Sequence, residues 1–114
     1  PDEHDKHIAY VSHLSHISSF ILGQTVLEKE KDESAIFAMA GSGFASTVRL
    51  AKSSPETWSS IFEENKDNII ETLKHYLKNL QRFKVLLEKE NYDEIHNTIQ
   101  KTNAIKGILK GIKS

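Results

Sequence analysis

An apolar seam with heptad spacing runs through the second half of the chain. Apolar residues recur there at alternating intervals of four and three, at Ile69, Leu73, Tyr76, Leu80, Phe83 and Leu87. This spacing is typical of a helix that packs along its length against another helix. Ser54-Pro55-Glu56 is a strong start for that helix, because serine caps and proline suits the first helical position. A helix over 54–90 would be about 50 Å long, which exceeds the width of a domain of this size. The sequence therefore predicts that a second copy of the chain covers the seam.

The rest of the chain also has helical spacing and no strand alternation. A first helix is expected up to about residue 28, because apolar side chains recur there every three to four positions. It opens with Pro1 and several acids, which suit a helix N-terminus. Shorter helices are expected over 34–40 and 44–52, with a glycine-containing break between them, and a last helix is expected after a cap at Asp93. The sequence predicts a single all-α domain over 1–114, a helical bundle with one long helix over about 54–90.

Charge and composition disfavour several kinds of partner. The 15 basic and 16 acidic residues nearly balance, with a net charge of −1, so no strong field attracts nucleic acid or an anionic membrane surface. The longest apolar stretches, such as 17–22, are far shorter than the roughly 20 residues of a membrane span. The charged run over 28–33 is interpreted as solvated. The absence of cysteine removes disulfides and thiolate chemistry, and it suits a cytoplasmic protein.

Two histidine pairs invite a metal interpretation, His4 with His7 and His13 with His16. A helix turns about 100° per residue, so the equivalent histidines of the two pairs, nine residues apart, lie on opposite sides of it. Four ligands cannot converge there, and two imidazoles alone make a weak site. We therefore expect no metal site in this chain.

Arg49 follows a run of small residues and is one of only two arginines, beside thirteen lysines. Its planar guanidinium can hold a carboxylate through two hydrogen bonds, whereas lysine offers a hydrated point charge. Arg49 is thus a candidate for carboxylate binding, and a structural salt bridge is the alternative. The glycines before it do not follow a strand, so a dinucleotide fingerprint is absent. Any nicotinamide must be bound by another domain.

Three separated blocks resemble the C-terminal half of prephenate dehydrogenase, in that family's order and spacing. They run from Asp5-Lys6-His7 to Ser12-His13-Leu14-Ser15-His16, from Ala40 to Arg49-Leu50-Ala51, and from Ser54-Pro55-Glu56-Thr57-Trp58 to Ile61-Phe62-Glu63-Glu64-Asn65. The resemblance covers about residues 2–90. It implies an all-α dimerisation domain like the C-terminal domain of 6-phosphogluconate dehydrogenase. It also implies a larger enzyme, whose N-terminal nucleotide-binding domain is absent from this chain.

The activity that this resemblance implies is the NAD(P)-dependent oxidative decarboxylation of prephenate to 4-hydroxyphenylpyruvate, in tyrosine biosynthesis. In that family a Rossmann-type domain binds NAD or NADP and supplies the catalytic histidine. This chain would then contain no catalytic residue and would be inactive alone. It would form a homodimer through its helices, with prephenate and the effector tyrosine as ligands.

The resemblance assigns roles to three charged or polar side chains. Arg49 falls on the family's arginine that holds a substrate carboxylate. His16 falls on a histidine that contacts substrate and tyrosine. His13 falls on the other histidine of the same motif, and a packed role between helices is its alternative.

The remaining site residues are also implied by the resemblance. Gly41 and Gly43 would let backbone amides approach the ligand, and Ser42 would add a hydroxyl; a plain turn is the alternative. Trp58 falls near the family's cleft, unless it is simply part of the core.

Departures from the family pattern leave other functions open. Ser15 replaces the usual proline, and Ser42 a common glycine, which bears on specificity and on feedback by tyrosine. An arogenate dehydrogenase domain and a non-catalytic helical dimerisation module are the alternatives. A histidine-kinase phosphoacceptor domain is disfavoured, because Leu14 and Ile17, not acids, follow the two histidines.

Overall fold

The computed structural model describes residues 2–30 and 33–112. Helical segments follow one another along these residues, and no strand occurs among them, which confirms the predicted all-α fold. In chain order the segments are α1 (Asp2–Ile8), a π-helical turn (Ala9–His13), α2 (Leu14–Lys29), α3 (Glu33–Met39), α4 (Ser42–Thr47), a 3-10 helix (Arg49–Lys52), α5 (Pro55–Glu64), α6 (Lys66–Glu88), α7 (Tyr92–Thr102) and α8 (Ile105–Lys110). Pro1, expected at the helix opening, and two members of the charged run, Lys31 and Asp32, lie outside the described residues. Within that part of the chain, no helix is both long and apolar enough to cross a membrane.

The first predicted helix ends where expected but changes its winding near its middle. α1 leads into the π-helical turn, and α2 continues to Lys29. A π-helical turn inserts an extra residue into the helix, and such turns are frequent at functional sites. The first and last residues of this turn, Ala9 and His13, are both buried. The spacing of apolar residues gives no indication of the change.

The helix expected over 54–90 is divided at Asn65, which has a non-helical backbone with φ −121° and ψ 30°. α5 ends at Glu64, and α6 begins at Lys66. The Asn65 side-chain nitrogen donates to the carbonyl oxygen of Asp5 at 2.9 Å, and it lies 3.3 Å from Nδ1 of His13. These bonds to the first helical segments offset the helical bonds lost at the break. The expected long helix is therefore corrected to 66–88.

The break between α3 and α4 falls at Ala40 and Gly41. Ser42 and Gly43 already lie in the first turn of α4, and Gly41 is its N-cap. The helix expected over 44–52 is divided into α4 and the 3-10 helix. At the other end of the chain, the cap of α7 is Asn91 and not Asp93, because the Asn91 side chain accepts from the backbone N–H of Glu94 at 3.2 Å.

The start of α5 agrees with the expectation. The Ser54 hydroxyl oxygen accepts from the backbone N–H of Thr57 at 3.3 Å, and Pro55 occupies the first turn. We expect Ser54→Ala to lower the free energy of unfolding by about 1 kcal/mol, because one N–H at the helix start loses its partner. Urea denaturation followed by circular dichroism measures the change. Ser59→Ala, an exposed position within α5, is the control, and an equal loss in both variants would contradict a capping role.

The chain divides into two compact units, Pro1–Lys74 and His75–Ser114. In the first unit, α2 packs closely against residues 47–51. The Ser19 hydroxyl donates to the carbonyl oxygen of Thr47 at 2.7 Å, and a Cβ built on Gly23 would lie 3.6 Å from that of Ala51. Among the described residues of this unit, the buried ones are Ala9, His13, Ser19, Ile69 and Thr72.

The second unit has no buried side chain among its described residues. The C-terminal half of the seam lies in this unit, and Leu80, Phe83 and Leu87 expose 50%, 39% and 49% of their surface. Two helices, α7 and α8, follow the seam in the sequence and expose further apolar residues, Ile99, Ile105, Ile108 and Leu109. Burying this many exposed apolar side chains against another protein surface would be favourable, so the second unit favours association of the chain.

Candidate functional site

In the first unit, four rings form what we name the imidazole–aromatic cluster: His13, His16, Trp58 and Phe62. A fifth ring, Phe20, packs beside it, with its centroid 6.4 Å from that of His16 and 6.3 Å from that of Phe62. His16 lies flat on Trp58, with ring centroids 3.4 Å apart and planes 18° apart. His13 meets Trp58 edge-on at 6.2 Å and Phe62 edge-on at 6.3 Å. An indole face attracts a cation, so protonation of His16 would strengthen this stacking.

Helical spacing explains how the four rings meet. His13 and His16 are three residues apart at the junction of the π-helical turn with α2, and Trp58 and Phe62 are four apart on α5. Residues three or four apart lie on one face of a helix. Packing of these two faces therefore brings both pairs of rings together.

The hydrogen bonding of His16 leaves one ring nitrogen available. Nδ1 lies 3.1 Å from the carbonyl oxygen of Ser12, and a carbonyl only accepts, so Nδ1 carries a hydrogen. Among the described residues, Nε2 has no hydrogen-bond partner. In the neutral ring this nitrogen is an acceptor, and in the protonated ring it becomes a donor.

His13 is buried, with 8% of its surface exposed, and its Nδ1 faces the side-chain nitrogen of Asn65. Burial lowers the pKa of His13 below its ordinary value of 6.5. The nearby His16 lowers this pKa further, and the Asp5 carboxylate partly opposes the shift. His13 therefore stays neutral at pH values where an exposed histidine begins to take up a proton.

This lowered pKa predicts a pH dependence of stability. Between the folded-state pKa and 6.5, the unfolded chain binds more protons at His13 than the folded chain does. The free energy of unfolding therefore falls as the pH drops below 6.5, and the contribution of His13 is complete above it. Urea midpoints between about pH 8 and about pH 5 measure the effect. We expect His13→Gln to flatten the profile and His96→Gln, at an exposed position, to leave it unchanged; the reverse result would contradict the assignment.

Arg49 begins the 3-10 helix and is exposed. In the sequence, Arg49 lies between Thr47 and Ala51, which both contact α2. Thr47 contacts Ser19, one helical turn after His16, and Ala51 lies against Gly23, two turns after His16. Among the described residues, no hydrogen bond or ion pair holds its guanidinium, and none joins it to the imidazole–aromatic cluster. The guanidinium is therefore open to an anion.

The glycine segment is also open. Gly41, Ser42 and Gly43 are exposed, and a Cβ built on either glycine would meet no described atom within 4 Å. Gly41 lines a surface groove of about 560 Å³ whose other walls are mainly apolar, among them Ile36 and Phe44. The structure does not bring these three residues into contact with the cluster.

Three residues at the site, Phe20, Phe62 and Asn65, were not proposed from the sequence. Phe62 and Asn65 lie in the block Ile61-Phe62-Glu63-Glu64-Asn65, and they were not assigned roles because each contacts residues distant in sequence. Within the described part of the chain, no group of three or more histidine or carboxylate side chains could hold a metal ion.

These observations define the class of the protein: an all-helical domain that contains a cluster of imidazole and aromatic rings. The chain matches the family described as "Prephenate dehydrogenase, dimerization domain" over residues 1–101. It belongs to this family. It is 27% identical over 95 residues to the prephenate dehydrogenase of Bacillus subtilis (strain 168), a match that covers 83% of this chain.

Two solved structures share the fold. One is arogenate dehydrogenase from Synechocystis, with a TM-score of 0.87 and 28% identity over 96% of this chain. The other is prephenate dehydrogenase from A. aeolicus in complex with hydroxyphenyl propionate and NAD+, with a TM-score of 0.85 and 31% identity over 96% of this chain. The chain spans only 26% of the Bacillus protein and 40% and 38% of the two solved chains. The similarity thus concerns a domain of these enzymes.

Proposed function

We propose that this chain is the substrate-binding and dimerisation part of an NAD(P)-dependent prephenate dehydrogenase. The complete enzyme would convert prephenate to 4-hydroxyphenylpyruvate with loss of carbon dioxide. The observation that carries this proposal is the imidazole–aromatic cluster, in which His16 stacks on Trp58 and His13 makes a T-shaped contact with the same indole. Such a cluster combines an aromatic surface with hydrogen-bonding nitrogens. This chemistry suits a ring acid, by which we mean a carboxylic acid that carries a six-membered carbon ring.

The residues of this chain would bind and orient the substrate. Prephenate carries two carboxylates, and Arg49, which has no ion-pair partner in the described part of the chain, offers a planar fork for one of them. His16 and His13 would donate or accept hydrogen bonds with ligand oxygens. The backbone amides of Gly41 and Gly43 and the Ser42 hydroxyl would bind the ligand from the start of α4. The exposure of Arg49 agrees with a site that becomes covered only when ligand and a further domain or chain are present.

The dinucleotide would be bound elsewhere in the enzyme. Gly41 follows a helix and not a strand, so the described residues do not fit a nicotinamide dinucleotide. We expect the chain alone not to oxidise prephenate when NAD+ is added. Absorbance of the reduced nicotinamide measures this, and turnover by the isolated chain would contradict the division of roles.

We propose a homodimer as the functional form, because the C-terminal half of the seam is exposed and the family is described as a dimerization domain. An arogenate dehydrogenase is the second candidate, and the similarity to the Synechocystis enzyme favours it. A dimerisation module without a ligand is the remaining candidate.

Trp58 provides a direct test, because it is the only tryptophan of the chain and is stacked on His16. We expect titration with 4-hydroxyphenylpyruvate or tyrosine to change its fluorescence in a saturable way. Malate, a dicarboxylate without a ring, serves as the control. No saturable change with any ring acid would favour the module without a ligand. Direct comparison of prephenate with arogenate, which carries an amino group, would separate the two enzymatic candidates.

A further inference from the structure

The orientation of the Asn65 amide is set by two contacts that agree. Its Nδ2 lies 2.9 Å from the backbone carbonyl oxygen of Asp5, and that oxygen can only accept. Its Oδ1 accepts from the Nδ2 of Asn68 at 2.8 Å. A flipped amide would place two oxygens together at Asp5, so the amino group must face Asp5 and His13.

This orientation has a consequence for the His13 ring. The Asn65 Nδ2 lies 3.3 Å from His13 Nδ1. An amino group has two hydrogens, of which one is used by Asp5 and the other points to Nδ1. Nδ1 must then offer its lone pair, and the neutral ring carries its hydrogen on Nε2.

The other nitrogen of His13 is open to a ligand. Among the described residues Nε2 has no hydrogen-bond partner, and no unpartnered polar side-chain atom there is sealed from solvent. His16 has the opposite arrangement, since its Nδ1 donates to the Ser12 carbonyl. The neutral cluster thus has one donor nitrogen, on His13, and one acceptor nitrogen, on His16.

We propose that Asn65 is a positioning residue that fixes His13 as the Nε2–H tautomer, so that His13 donates a hydrogen bond to an oxygen of the bound ring acid. The statement about the ligand rests on the proposed function, whereas the tautomer is a property of the chain alone. The backbone of Asn65 also interrupts the helix between α5 and α6, at the residue whose side chain contacts His13.

Nitrogen NMR of the ring measures the tautomer directly. In a 15N-labelled chain, at a pH where His13 is neutral, we expect Nδ1 to resonate as a lone-pair nitrogen and Nε2 as an N–H nitrogen. Asn65→Ala should move both resonances toward the averaged positions of a ring that exchanges tautomers. Asn65→Asp should reverse the preference, because a carboxylate beside Nδ1 accepts a hydrogen bond and favours Nδ1–H.

Asn68→Ala is the matched control, because it keeps the Asn65 amino group and its contact with Asp5. We expect the His13 resonances of this variant to stay at their wild-type positions. A wild-type His13 with its hydrogen on Nδ1 would overturn the proposal even if the variants failed to fold. Unchanged His13 resonances in both folded Asn65 variants would overturn it as well.

Titration with 4-hydroxyphenylpyruvate, followed by Trp58 fluorescence, tests whether His13 donates a hydrogen bond to the ligand. We expect Asn65→Asp to bind roughly tenfold more weakly than wild type, since the donor is turned away from the ligand. Equal affinity of wild type and Asn65→Asp, with a reversed tautomer, would overturn the donation to ligand. Failure of the wild type to bind, with the expected tautomers, would count against the proposed function and leave the role of Asn65 standing.

Discussion

Arg49→Ala is expected to weaken the binding of 4-hydroxyphenylpyruvate by about 2–3 kcal/mol, which is roughly a 30- to 150-fold rise in Kd. The guanidinium has no hydrogen-bond or ion-pair partner among the described residues, so its removal breaks no such bond there. The loss should therefore appear in binding and not in folding. A carboxylate held by two parallel hydrogen bonds to arginine would instead be left without its counter-charge. Calorimetry or Trp58 fluorescence measures the affinity, and urea denaturation checks that stability is unchanged.

The second arginine of the chain provides the control. Arg82→Ala removes an equal charge from α6 in the second unit, and we expect its affinity for the ligand to match the wild type. Arg49→Lys should lie between wild type and alanine, because lysine keeps the charge and loses the planar fork. Equal affinities for all four proteins would show that Arg49 does not contact the ligand.

Much of the fold follows from local sequence rules. The spacing of apolar residues predicted helices throughout, and the structure confirms this. The Ser54-Pro55-Glu56 start was predicted from capping chemistry, and Ser54 caps α5 as expected. The pairing of His13 with His16, and of Trp58 with Phe62, follows from helical spacing once both helices are known. These features depend only on residues within a few positions of one another.

The break at Asn65 could not be predicted in this way. Asn65 lies sixty residues from Asp5 and fifty-two from His13, the two residues that its side-chain nitrogen faces. Apolar spacing continues across the break, so the seam alone favours an uninterrupted helix. Contacts with a distant segment override that local preference. The same reason applies to the π-helical turn, whose buried ends Ala9 and His13 are fixed by packing.

The location of Arg49 was also beyond local reasoning. Composition made it a candidate for carboxylate binding, but the open position of its side chain depends on how the 3-10 helix packs against α2. The resemblance placed Arg49, His16 and the glycines in one cleft. The described ring contacts instead join the two histidines with Trp58, Phe62 and Phe20, and none of them involves Arg49 or the glycines. Whether ligand bridges the cluster and Arg49 is what the Arg49→Ala titration measures.

The second large effect is expected at the seam. Leu80 and Leu87 each expose about half of their surface in a single chain. Covering the exposed part of such a leucine contributes about 1 kcal/mol, and a twofold interface gains each contribution twice. The second unit has no buried side chain among its described residues, so the surface between two copies would supply the core that this unit lacks.

Leu80→Glu should therefore dissociate the dimer, raising its Kd by roughly a hundredfold or more, because an uncompensated carboxylate in an interface costs about 3 kcal/mol. Light scattering and sedimentation across a range of concentrations measure the change. Lys78→Glu places the same side chain on another face of the same helix turn, where the residue is exposed, and we expect it to leave the dimer intact. Loss of the dimer in Leu80→Glu alone assigns the interface to the seam, since general charge repulsion would act on both variants. A wild-type monomer, or a Leu80→Glu dimer of unchanged affinity, would instead require another partner for these apolar residues.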